Sequence, residues 1–87
     1  SFSVYAIRAD GSLAWRTELS DSVNDLAVVG DTIVAGCDDG RIYALDRVGV
    51  ITGAMDVTAP VSRVVALDYR LAVVSAGTAV VAIALDL

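Results

Sequence analysis

A chain of 87 residues makes one small domain at most, and a domain of that size buries too little of its own surface to be comfortable alone. Hydrophobic residues nevertheless make up 56% of it, which calls for burial against neighbouring material or for a membrane; the longest uncharged apolar run, 79–85, is far short of the roughly 20 residues a spanning helix needs. A net charge of −5 excludes the nucleic-acid binders, which neutralise phosphate with an excess of Lys and Arg.

In chain order the apolar runs are short and bounded by turn residues. They predict strands near 3–8, 12–18, 23–29, 32–37, 41–46, 50–56, 61–67, 70–75 and 79–85. Asp10-Gly11, Gly30-Asp31 and Asp39-Gly40 are turn dipeptides, with Val48-Gly49 and Ala76-Gly77 in similar places. The one proline, Pro60, precedes a strand, where its missing N–H costs little. No segment keeps a helical period. Ile42 to Leu45, Leu71 to Val74 and Val80 to Leu85 are continuously apolar rather than alternating, the pattern of strands covered on both faces.

An internal repeat organises these elements. Val4-Tyr5-Ala6-Ile7 returns as Ile42-Tyr43-Ala44-Leu45 and again as Val80-Val81-Ala82-Ile83, a shift of 38 residues. Taken without a gap, the same shift carries Gly11 onto Gly49, Val23 onto Val61 and Ile33 onto Leu71. A period of roughly 40 residues holding four strands is the β-propeller pattern. The expected architecture is therefore all-β, with antiparallel four-stranded blades forming part of a ring. Residues 1–20 would end one blade, 21–58 make a complete one, and 59–87 make most of the next. The chain does not begin with Met and shows no basic leader, and it is read as an excerpt of a longer one.

Tyr5-Ala6-Ile7-Arg8-Ala9-Asp10-Gly11-Ser12-Leu13-Ala14-Trp15 resembles the repeats of pyrroloquinoline-quinone-type (quinoprotein-like) propellers, and Asp38-Asp39-Gly40-Arg41-Ile42-Tyr43-Ala44-Leu45-Asp46 resembles the stretch that links their blades. The resemblance covers about two and a quarter blades and implies a ring of seven or eight. It gives structural roles to Tyr5, Ala6, Gly11, Trp15, Gly40, Tyr43, Ala44, Asp46, Gly49 and Ala82. Trp15 would dock between blades, although its shifted counterpart is Gly53. The Asp of the motif stands at Asp46 and is replaced by Arg8 and Ala84 in the other copies. Relatives of this type often work outside the cytoplasm. Separately, ten Asp against one Glu, with six Arg and no Lys, resembles proteins of haloarchaea or other GC-rich genomes.

Chemistry-bearing residues are few. Asp38 and Asp39 beside Gly40 offer the start of a calcium loop, but without the spaced ligands of an EF-hand they read as a solvated hairpin. Asn24 and Asp25 stand near the start of an innermost strand, facing either a ring channel or solvent, with Ser62 and Arg63 in the matching place. Trp15 is either a stacking platform for a quinone or sugar, or interblade packing; the motif position favours packing. Cys37 has no disulfide partner and no His to activate it, since the chain has none. No catalytic, cofactor or metal residue is assigned. The expected function is a non-catalytic propeller scaffold or protein-interaction module, partnered by the remaining blades, by other copies of the chain or by another protein. The alternatives are blades of a quinone-dependent dehydrogenase whose site lies elsewhere, and a surface, spike or sensor propeller that binds a glycan or receptor.

Overall fold

The computed structural model describes residues 2–85. Residues 1, 86 and 87, which the expected 1–20 and 59–87 units include, lie outside the described residues. The fold is all-β: nine antiparallel strands in three sheets, with no helix among the described residues and so none able to cross a membrane. The first sheet is β1 (Phe2–Ile7) and β2 (Leu13–Leu19). The second runs β3 (Val23–Val29), β4 (Thr32–Cys37), β5 (Arg41–Leu45) and β6 (Ile51–Asp56) in sequence order. The third is β7 (Val61–Asp68), β8 (Leu71–Ala76) and β9 (Ala79–Ala84). Every predicted strand is present, with bounds moved by one residue at most.

The middle sheet holds the core on both of its faces. Val29, Val34 and Ile42 point one way and are buried with Val61, Val64, Ala72, Val74, Ala76 and Ile83 of the third sheet. Ala35, Cys37, Tyr43 and Leu45 point the other way and are buried with Val4 and Leu19 of the first. Alternation along β4 and β5 therefore serves two cores at once, which is why Ile42 to Leu45 of β5 reads as an unbroken apolar run. Each fully buried Val or Leu contributes about 1.5–3 kcal/mol. The exposed pairs Arg16–Glu18 (3.8 Å) and Arg47–Asp31 (4.0 Å) contribute about 0–1 kcal/mol each. Burial holds the sheets together.

The outer sheets are covered on one face only. Tyr5, Ile7 and Leu13 of the first and Val65, Leu67 and Val80 of the third are exposed, Val80 at 73%. The apolar run of β9 is thus bare on its outer side in this chain, because no described residue lies over it. β6 is exposed along its whole length.

The ungapped 38-residue shift needs one correction. Ile33 stands opposite Leu45, whereas Ala72, not Leu71, stands opposite Ile83. Likewise Cys37 pairs with Val23 while Ala76 pairs with Val61. β8 therefore sits one residue further along than the sequence shift places it. The extra residue before it is taken up in the β7 bulge between Ala66 and Asp68, and the turn after it is a residue shorter. Since a one-residue slip changes the face every side chain points to, this decides that Ala72, Val74 and Ala76, rather than Leu71 and Val73, meet the middle sheet.

Candidate functional site: the seams between sheets

The two hairpin turns of the tyrosine motif share one geometry. In the first, Arg8 N donates to Ser12 O (2.8 Å) and Gly11 N to Arg8 O (2.9 Å). In the second, Asp46 N donates to Val50 O (2.9 Å) and Gly49 N to Asp46 O (3.2 Å). Gly11 and Gly49 both stand at positive φ, 89° and 86°, where a Cβ is unfavourable. The replacement of Asp46 by Arg8 is compensated locally. Asp46 Oδ1 accepts from Val48 N and Val50 N (2.9 Å each). In the other turn Asp10 Oδ1 accepts from Ser12 N and Ser12 Oγ, which holds the Asp10 carboxyl below its ordinary pKa, the side-chain bond being the larger cause. Arg8 instead donates to the Leu13 carbonyl at 2.7 Å.

The seam between the first and second sheets is built on Trp15. Its indole Nε1 donates to the Arg47 carbonyl at 2.9 Å, and its ring lies so close to Gly49 that a Cβ there would come within 2.6 Å of it. Thr17 Oγ1 donates to the Gly49 carbonyl beside it. Deeper in, Ser20 Oγ donates to Asp39 Oδ2 and shares a second 2.6 Å hydrogen bond with the Tyr43 hydroxyl. With Ser20's one proton committed to Asp39, the Tyr43 hydroxyl is the donor. Tyr5, the earlier counterpart of Tyr43, is 58% exposed where Tyr43 is 8%. The same residue type is therefore core in one sheet and surface in the other, according to what lies beside it. Trp15 is placed for packing between sheets, its ring against Gly49 and its N–H satisfied by backbone.

The seam between the second and third sheets is tied by Asn24 and Asp25. Asn24 Nδ2 donates to the Val61 carbonyl (2.9 Å) and to Asp38 Oδ1 (3.1 Å). Asp25 Oδ2 accepts from Val64 N at 2.8 Å, while its Oδ1 accepts from Leu26 N. Asn24 is exposed and Asp25 part-buried, and their polar atoms complete the backbone hydrogen bonding of the bulged start of β7. Sequence reading missed this because the partner is a backbone N–H in another sheet. Asp25→Ala leaves the part-buried Val64 N–H without its acceptor and is expected to cost about 1–3 kcal/mol. Ser62→Ala, on an exposed side chain bonded only to the Ser75 carbonyl, should cost under about 0.5 kcal/mol; urea denaturation of the two variants is the check.

Asp38 and Asp39 are likewise structural. Asp39 Oδ1 accepts from Arg41 N (3.0 Å), closing the turn at Gly40, and its Oδ2 takes the Ser20 hydroxyl. Among the described residues no group of three His, Cys, Asp or Glu is placed to hold a metal ion. Cys37 is buried, and burial first, then Asp39 and Asp21, push its thiol up to about 11. It is a thiol, not a thiolate, near neutral pH and packs as a small apolar residue. Ala6 and Ala44 are half-buried on their sheets and Ala82 is exposed on β9.

An open groove of about 690 Å3 lies between the second sheet and β9. Ala44, Gly53 and Met55 form its floor, Ile83, Ala84 and Leu85 one wall, and Asp31, Asp46 and Arg47 lie at its end.

Fold and seams together define an all-β chain of stacked antiparallel sheets whose polar side chains close the turns and, at Trp15, Thr17, Ser20, Asn24 and Asp25, join one sheet to the next. No family model matches the chain, and no curated protein matches it.

Proposed function

We propose that the three sheets are consecutive blades of a quinoprotein-like β-propeller, and that the chain acts as a non-catalytic scaffold or protein-interaction module. The observation that carries this is the four-stranded middle sheet, whose two central strands, β4 and β5, are buried on both faces by neighbouring sheets of the chain, as stacking around an axis requires. Small residues at the seams, Ala35 and Gly36 on β4 and Ala72 and Ala76 on β8, let sheets approach closely. The bare faces around Tyr5, Ile7 and Leu13 and around Val65, Leu67 and Val80 are taken by further blades or by other copies of the chain. A scaffold is favoured over an enzyme because the residues where chemistry was sought, Trp15, Asn24, Asp25, Asp38 and Asp39, spend their polar atoms on joining sheets and closing turns.

Two measurements test this. The isolated chain should self-associate in light scattering, and a stable monodisperse monomer would overturn the stacking. The protein that contains these sheets, reconstituted with pyrroloquinoline quinone and calcium, should oxidise neither alcohols nor sugars; quinone-dependent turnover would overturn the scaffold assignment.

A further inference from the structure

The carboxylate that closes the two tyrosine-motif hairpins stands at a different place in each copy. In the second sheet it is Asp46, three residues ahead of Gly49, and its Oδ1 accepts from Val48 N and Val50 N. In the first sheet Arg8 occupies that place, and the carboxylate comes instead from Asp10, directly ahead of Gly11. The exchange puts an Asp-Gly pair at a turn where the other copy has Val48-Gly49. One other Asp-Gly pair exists in the chain, Asp39-Gly40.

An aspartate followed by glycine can close into a ring, because glycine sets no side chain beside the attacking main-chain nitrogen. That nitrogen adds to the side-chain carboxyl carbon and a C–N bond forms. One carboxyl oxygen leaves as water, taking the amide proton and the carboxyl proton with it. Water then reopens the five-membered succinimide. Opening at the side-chain carbonyl returns aspartate; opening at the main-chain carbonyl leaves isoaspartate, with the chain running through the former side chain. Water is lost once and gained once, so the mass is unchanged and no other reactant enters.

The two pairs differ in what must move for the ring to close. Asp10 and Gly11 are both exposed, and a Cβ at Gly11 would meet no atom within 4 Å. Closure there breaks only contacts inside the turn, Gly11 N to Arg8 O and Asp10 Oδ1 to Ser12. At the other pair, Asp39 Oδ1 takes Arg41 N and Oδ2 takes the Ser20 hydroxyl, which is tied in turn to Tyr43. Gly40 is buried, its Cβ position lies 3.1 Å from Ala59 N, and its carbonyl accepts from Val57 N at 2.8 Å. Closure there must part the linker between the second and third sheets. Unpacked hairpin tips open far more readily than packed seams. The openness of Asp10 does not come from its place near a chain end, since Val48, its counterpart in the middle sheet, is 68% exposed.

We infer that Asp10 is a self-modification site: in the folded chain it converts to isoaspartate through a succinimide with Gly11, while Asp39 is held in place. The added main-chain carbon cannot keep both Arg8 N on Ser12 O and Gly11 N on Arg8 O, so the conversion loosens the β1–β2 hairpin. None of this depends on the propeller reading.

The test ages the folded 87-residue chain at mildly acidic pH in water enriched in heavy oxygen, then digests it with trypsin in ordinary water. Each passage through the ring leaves one heavy oxygen behind. Cleavage after Arg8 and Arg16 isolates residues 9–16, marked by Trp15, and cleavage after Arg16 and Arg41 isolates 17–41 with Asp39; fragment spectra place the label. Asp10 should take up label about ten-fold faster than Asp39, the ratio given by a local-opening difference of about 1.4 kcal/mol. Isoaspartate, read from its diagnostic electron-transfer fragments, should accumulate in the labelled 9–16 peptide. In concentrated urea the two rates should converge, both aspartates having the same following residue. Equal labelling in the folded chain, faster labelling of Asp39, or label without isoaspartate would overturn the inference. So would a ratio unchanged in urea, which places the cause in flanking sequence and not in the fold.

Discussion

Replacing Gly36 with alanine is expected to destabilise the chain by about 2–3 kcal/mol, read as a lower urea midpoint at unchanged slope. A Cβ at position 36 would lie 2.2 Å from Val61 Cγ1, 2.9 Å from Val61 Cβ and 3.1 Å from Val64 Cγ2. Val61 is a fully buried side chain on a strand whose start is pinned by Asn24 and Asp25, so it has no free rotation with which to yield. The third sheet must move away from the second, stretching those hydrogen bonds as it goes. Gly36 does not stand at positive φ; glycine is needed there for close approach alone. Gly53→Ala is the matched control, since its Cβ would meet nothing nearer than Ala44 Cβ at 4.0 Å. That change should be neutral or stabilising by about 0.5–1 kcal/mol, because glycine within a strand carries an entropic cost. Equal losses from both would refute the seam as the cause.

Leu45→Ala is expected to cost about 2–5 kcal/mol. Leu45 is among the largest fully buried side chains, and its cavity would open between Val4, Leu19, Tyr43 and Cys37, residues drawn from two sheets that cannot collapse onto one another without moving the seam. Leu67→Ala removes the same atoms from a side chain 59% exposed and should cost under about 0.5 kcal/mol in the isolated chain. The ranking changes in a longer protein that contains these sheets. If a further sheet covers the outer face of the third, Leu67→Ala becomes a core deletion there while Leu45→Ala keeps its cost. Comparing the two substitutions in both settings measures whether that face is covered.

The strands were legible because each apolar run is short and stopped by a turn residue whose geometry does not depend on distant neighbours. Gly11 and Gly49 mark equivalent turns in sequence and adopt the same φ and backbone hydrogen bonds. The two-sided burial of β5 was legible for a similar reason, since an unbroken apolar run has no polar face to give to water. The register of β8 was not. Leu71, Ala72, Val73 and Val74 are all apolar, so either alternate set suits a buried face, and only the pairing Ala72–Ile83 distinguishes them. Asn24 and Asp25 were illegible in another way. Short polar side chains at a strand start suit solvent, a ligand or a backbone donor alike, and Val64 N is brought to Asp25 only by the stacking of two sheets. Trp15 lay between, its packing role suggested by the motif and its contact on Gly49 visible only in the fold.

That contact gives the chain a built-in optical gauge. Trp15 is the only tryptophan, and its N–H is held by the Arg47 carbonyl across the first seam. Its emission therefore reports the parting of β2 from the turn at Gly49 and is blind to events between the second and third sheets. Fluorescence and backbone circular dichroism followed on the same sample separate peeling of the terminal hairpin from loss of the remaining strands, with no added label.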